Sequence, residues 1–212
     1  RKTLSTMGAE LSCEFATFEA DEVLADYLRA CGRDKIEPVH PDRDADYFDV
    51  RHIDLSKLEP LVALPDSVLK NSRSVNEVAG TRVDQAFIGS CANGTLDDLT
   101  LAATVLAGRK VSSKTRLIIT PGSQHVYLAA LRSGVIATLV EAGAVITNPT
   151  CGACGGGHMG VLGPDEVCIT ASTRNFKGRM GDPSAKIYMA SPATVAASAI
   201  KGAIAHPGEF LN

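Results

Sequence analysis

The apolar positions of the chain fall into two regimes. From about residue 83 onward, short runs of apolar and β-branched residues alternate with longer segments of helical periodicity. Residues 83–89 (VDQAFIG) predict a buried strand. Residues 96–108 (LDDLTLAATVLAG) predict a helix with Thr95 as N-cap, Asp98 three positions further on, and Gly108 closing it. The unit then recurs. Residues 116–120 predict a strand, Pro121-Gly122-Ser123 a turn, 124–142 helix with a break at Gly134, and 144–147 another strand. Beyond a glycine-rich loop at 151–157, strands at 167–170 and 186–190 flank a long polar loop. A helix over 192–201 follows, with Ser191 as N-cap and Pro192 at the first helical position. This alternation predicts an α/β fold, a mostly parallel sheet covered by helices on both faces in three α/β/α layers.

Residues 1–80 do not share the pattern. The stretch 31–54 is charged and punctuated by proline, and 64–80 (LPDSVLKNSRSVNEVAG) shows no sustained period. The expected organisation is therefore 1–80 as the end of a preceding domain plus a connector, and 81–212 as the α/β domain. The first residues read as the inside of an element and begin at Arg1 rather than Met, so a fragment or a processed chain is expected.

Composition narrows the function classes. Of 212 residues, 45% are hydrophobic and 21% charged, with 19 Gly and 10 Pro, which excludes collagenous and charge-dominated disordered chains. Lys and Arg number 21 against 24 Asp and Glu, a net charge of -3 without a basic stretch, so a nucleic-acid partner is not expected. No apolar run approaches the roughly 20 residues that span a bilayer, and no signal-like segment is present, so no membrane partner and a cytoplasmic location are expected. Six cysteines are too few for a disulfide scaffold in a chain of this length.

In open parallel sheets ligands bind beyond the carboxyl ends of the strands, and four post-strand loops carry the unusual residues. They are 89–94 (GSCANG), 121–123 (PGS), 148–154 (NPTCGAC) and 171–175 (ASTRN). Cys91, Cys151 and Cys154 should therefore converge on one edge. Such a trio has four readings. A dithiol redox pair in CGAC would need a helix to open there, and three glycines follow instead. A structural zinc site would need a fourth ligand, which His158 could supply. Unpaired small cysteines in tight loops are a third reading, and the preferred one for Cys13, Cys31 and Cys168, since free cysteine is commonly buried. The fourth is an iron-sulfur cluster on three thiolates, which leaves one iron open to substrate as a Lewis acid. Arg174 and Arg179, on one polar loop, have the fork geometry that binds carboxylates bidentately, pointing beside a cluster to a hydroxy di- or tricarboxylate. Of the histidines, His40, His52, His125 and His206 are expected at the surface, and His158 near the cysteine loop.

The segments FIGSCANGTLDDL, TPGS, TNPTCGACGGGHMG and STRNFKGRMGDPSAKIYMASPATVAASAI, within residues 84–205, resemble the aconitase family. Within it they are most similar to the branch of isopropylmalate dehydratase large subunits and homoaconitases. TLSTMGAE and IDLSKLEPLVALPDS extend the resemblance over nearly the whole chain. The resemblance implies the C-terminal portion of a hydro-lyase large subunit that isomerises 2- and 3-isopropylmalate by dehydration and rehydration in leucine biosynthesis. A homoaconitase, aconitase or dialkylmalate dehydratase of the same family is the alternative, and a non-catalytic zinc module the competing class. It implies a 4Fe-4S cluster with one labile iron lacking a protein thiolate, held by Cys91, Cys151 and Cys154. Arg174 and Arg179 become substrate-carboxylate residues and Glu10 an active-site carboxylate. Thr6 and Thr173 stand where the family usually has asparagine near the cluster, and Ala92 replaces a common threonine. The segments that complete the site would come from preceding sequence and from a swivelling small-subunit partner that supplies the base.

Overall fold

The computed structural model describes residues 1–67 and 69–211. The chain divides into two compact units, one of residues 1–58 and one from Glu59 onward.

In the first unit, α1 (Lys2–Met7) runs into a 3-10 turn at Gly8–Leu11, and α2 (Glu22–Ala30) follows. Asp21 caps α2 by accepting from the Leu24 N–H at 3.0 Å. Gly8 alone is buried among these 58 residues, and Phe15, Val39 and Phe48 are exposed. The unit has no apolar core of its own.

The second unit holds a seven-stranded sheet. Its strands are β1 (Leu61–Ala63), β2 (Ser72–Ser74), β3 (Gln85–Gly89), β4 (Arg116–Thr120), β5 (Val145–Ile146), β6 (Val167–Thr170) and β7 (Lys186–Met189), in the order β2-β1-β7-β6-β3-β4-β5. The strands from β3 onward pair in parallel, whereas β1 is antiparallel to both β2 and β7. The sequence pattern sets a boundary at residue 80, whereas the two compact units divide at Leu58/Glu59. The segment read as a connector carries two sheet strands, and three residues each are too few to display a period of two.

Between the strands lie α3 (Val75–Val78), α4 (Ser90–Asn93), α5 (Leu96–Leu106), α6 (Gln124–Arg132) and α7 (Val135–Ala142), with α8 (Pro192–Lys201) at the end. Thr95 and Asp98 form the expected capping box on α5, and Gly134, at φ +80°, separates α6 from α7. The long helices α5 to α8 share one core with Ala86, Ile88, Leu117, Ile119 and Ile169 of the sheet. The opposite face, with Phe87, Ile118, Cys168 and Ile187, packs against Ala153, Leu162, Met180 and Ala185.

The α/β class and the mostly parallel sheet are as the pattern predicts. The second covering layer differs, being built from two loops rather than helices. Chain direction explains it. From β3 the chain moves outward to β4 and β5, then returns to β6 and β7, and right-handed crossovers place those two return connections on the other face. The first of them, 148–166, carries six glycines, each unfavourable in a helix, and the second, 171–185, carries two glycines and a proline. Among the described residues no helix is long and apolar enough to cross a membrane.

Candidate functional site

The parallel strands end at a common edge, and the reversal of direction lies between the neighbours β3 and β6. In sheets of this kind ligands bind at such a switch point, beyond the carboxyl ends of the strands.

Contacts join four strand-end loops into a closed ring. After β3 and β4, Gly122 N–H donates to Gly94 O at 2.8 Å. At the ends of β4 and β5, the hydroxyls of Thr120 and Thr147 share a hydrogen bond of 2.7 Å. Gly152, at φ +56°, lies so close to Thr120 that a Cβ there would stand 2.3 Å from Oγ1. Further on, Gly156 N–H donates to Arg179 O at 3.0 Å, and Arg179 Nε donates to Cys154 O at 2.8 Å. A Cβ on Gly156 would meet the Met180 carbonyl carbon at 2.4 Å. The ring closes where Asn93 Nδ2 donates to Ala171 O, joining the loops after β3 and β6.

Most of the residues singled out from sequence lie on this ring. Cys91 is exposed on α4, whose first residue, Ser90, is held at φ +65°. A non-glycine residue in that region is strained, and such strain gathers at functional sites. Cys151 is exposed and precedes a 3-10 turn at Gly152–Cys154, which the partly buried Cys154 ends. Thr173 is buried, and Arg174 and Arg179 are partly buried. Arg179 Nη2 stands 3.9 Å from Cys154 Sγ. Glu10 and Thr6 belong to the first unit, on its 3-10 turn and on α1.

Two readings of the cysteines lose support here. Cys151 caps and Cys154 ends a 3-10 turn rather than opening an α-helix, so the helix-terminal dithiol geometry is missing. Among the described residues, no three His, Cys, Asp or Glu side chains stand close enough to share one metal ion. The Cys3His zinc set with exposed His158 is therefore not assembled. In donor chemistry the site suits an iron-sulfur cluster: three thiols on joined loops, with a guanidinium beside one sulfur.

Cys168 is buried in β6 as expected, and burial pushes its thiol up to about 12. Cys13 and Cys31 are corrected, since both are exposed. One sits just past a 3-10 turn and the other caps α2, in the unit that lacks a core. His40, His52 and His125 are exposed as expected, whereas His206 is partly buried and accepts from Gly208 N–H. Asn93 was missed by sequence reasoning. An amide two residues after a strand-end cysteine was the available signal, but its partner is 78 residues away.

Comparison with known proteins gives one consistent result. Residues 1–202 match the family described as the aconitase family (aconitate hydratase). The chain is 59% identical over 204 residues to a 3-isopropylmalate dehydratase large subunit from Mycolicibacterium smegmatis, covering 96% of this chain and 48% of the relative. It is 48% identical over 212 residues to 3-isopropylmalate dehydratase large subunit 2 from Archaeoglobus fulgidus, covering 100% of this chain and 51% of the relative. To a probable methanogen homoaconitase large subunit from Methanothermobacter thermautotrophicus it is 45% identical over 207 residues, covering 98% and 48% respectively. The chain spans about half the length of the curated relatives it matches.

Proposed function

The chain belongs to the aconitase family, and on that premise we propose that it is the cluster-bearing part of a hydro-lyase large subunit. The substrate pair is 2- and 3-isopropylmalate, interconverted by dehydration and rehydration. The observation that carries the reading is the closed ring of strand-end loops bearing three thiols and two guanidinium groups at the switch point of the sheet.

Cys91, Cys151 and Cys154 would hold a 4Fe-4S cluster. When bound, such a cluster supplies a Lewis acid, an iron without a protein thiolate, that polarises a substrate hydroxyl and carboxylate. The chain's own residues do the rest of the work on this side. Arg179 fixes the Cys154 turn through its bond to the carbonyl and lays positive charge beside the sulfur. Arg174, two positions beyond Ser172 on the neighbouring loop, takes a substrate carboxylate, each charge-assisted hydrogen bond contributing about 1.5–3 kcal/mol. Thr173, buried between them in sequence, offers a hydroxyl where an amide would offer two donors. Glu10 is assigned on the family pattern as the carboxylate that hydrogen-bonds substrate. The base that removes the proton from the adjacent carbon is left to a small-subunit partner, since the relatives are named large subunits.

The homoaconitase relative keeps a second substrate in view, a homologous tricarboxylate. The test uses the full-length large subunit with its small subunit, loaded anaerobically with iron and sulfide. Turnover of 3-isopropylmalate, lowered in Arg174→Lys through a raised KM, supports the proposal. Turnover of homocitrate alone would move the chain to the homoaconitase branch, and no hydro-lyase activity on either substrate would refute it.

A further inference from the structure

Asn175 follows Arg174 directly and is 1% exposed. Its Nδ2 donates to Leu64 O at 2.6 Å and to Ser67 O at 3.2 Å, reaching across more than a hundred residues to the loop after β1. Its backbone joins the same loop, since Asp66 N–H donates to Asn175 O at 3.2 Å. A second carboxamide serves that loop from inside. Asn71 Nδ2 donates to Leu64 O, Pro65 O and Ser67 O, each at 3.2 Å, while Leu64 N–H donates to Asn71 O at 2.9 Å. Leu64 O and Ser67 O are therefore shared by two amides, one closing the loop and one holding it to the arginine segment.

Asn175 Oδ1 is buried and has no hydrogen-bond partner among the described residues. Burying a carbonyl without a donor is unfavourable, and flipping the amide would set that oxygen against two carbonyls. The position thus uses the donor half of the amide at the expense of the acceptor half. An apolar residue or a carboxylate of the same shape supplies no such donor.

We propose that Asn175 is a positioning residue, which clamps the loop carrying Arg174 to the bracket made by Leu64, Ser67 and Asn71 and so sets where the Arg174 guanidinium meets substrate. The proposal deepens, and rests on, the reading of Arg174 as a carboxylate-binding residue. Small displacements matter at such a group, because a charge-assisted hydrogen bond to a carboxylate weakens steeply as its distance and angle depart from the optimum.

The test compares Asn175→Asp, Arg174→Lys and the double variant in the cluster-loaded full-length enzyme with its small subunit. Asn175→Asp should raise KM on the order of tenfold, with kcat per loaded cluster and the cluster's absorption unchanged, as loss of binding common to ground and transition state does. Without substrate, hydrogen exchange at the Asp66 amide and in residues 172–179 should quicken. In the double variant the two KM effects should combine less than multiplicatively, as residues acting through one another do. A lowered melting temperature with KM unchanged would mean a purely structural role and overturn the proposal. An unchanged KM in Arg174→Lys would instead overturn the reading of Arg174, and the clamp with it. Should Asn175→Asp fail to fold, Asn71→Ser loosens the bracket without touching residue 175. It should raise KM in the same direction by a smaller factor, and an unchanged KM there overturns the clamp as well.

Discussion

Gly152 offers the sharpest perturbation of the ring of loops. In Gly152→Ala, the new methyl would sit 2.3 Å from Thr120 Oγ1 and 2.9 Å from Thr120 Cβ, about 1 Å inside ordinary contact. Thr120 cannot yield freely, because its hydroxyl is held by Thr147 at 2.7 Å and its backbone is paired with Gly89 in the sheet. The backbone there is also at φ +56°, which costs a residue with a side chain about 1–2 kcal/mol. Overpacking at a site that cannot relax adds about 1–3 kcal/mol, and reduced freedom of the unfolded chain offsets less than about 1 kcal/mol. The expected loss is about 2–4 kcal/mol. Gly157→Ala is the matched control. Its nearest contact would be Gly155 O at 3.4 Å, and the expected change is below about 1 kcal/mol. Urea denaturation of the two variants in the cluster-free full-length subunit measures the difference. Equal losses, within about 0.5 kcal/mol, would show that the close approach of the cysteine loop to β4 is not what holds the site in place.

Three further outcomes follow from the geometry. Arg116 bonds Glu166 through both guanidinium ends at 2.9 Å and holds its carboxyl below the ordinary carboxylate value, with a further contribution from the Gly163 N–H. A depressed pKa gives stability that is complete above the unfolded value of about 4.3 and lost as pH falls through the folded one. Glu166→Gln should flatten the acid limb of a stability-pH curve by no more than about 1 kcal/mol, since the pair is part exposed, and an unaltered limb counts against the linkage. In cluster-free protein, Cys91 and Cys151 should label readily with a thiol reagent at neutral pH, and Cys168, buried and raised to about 12, only on unfolding. Peptide mass mapping decides, and native labelling of Cys168 would contradict its burial. At Ser90, φ +65° predicts that Gly is accepted without loss while Val lowers stability by about 1–2 kcal/mol, measured by the same urea titration. Equal stability of the two variants would count against strain at that turn.

Local chemistry made the second unit legible from sequence. The capping box at Thr95, the break at Gly134 and the Ser191-Pro192 helix start are signals contained within a few residues, and each falls where it was read. Convergence of the four strand-end loops followed from strand-helix alternation, because parallel strands share a carboxyl edge. What escaped depended on distant partners. The strands β1 and β2 exist by pairing with each other and with β7. The loop-built second layer follows from the return path of the chain rather than from any local pattern. Asn93 and Asn175 gain their roles from carbonyls that lie 78 and 111 residues away. Cys13 and Cys31 look like ordinary buried cysteines until the unit around them is seen to lack a core.

Anaerobic reconstitution of the full-length subunit with iron and sulfide, followed by metal and sulfide counting and EPR after mild oxidation, tests whether Cys91, Cys151 and Cys154 jointly hold an iron-sulfur cluster. Four irons and four sulfides per chain are expected, with a three-iron signal once the labile iron is lost, and loss of both in Cys91→Ser. Stoichiometric zinc without sulfide, or a cluster that survives Cys91→Ser unchanged, would contradict that assignment.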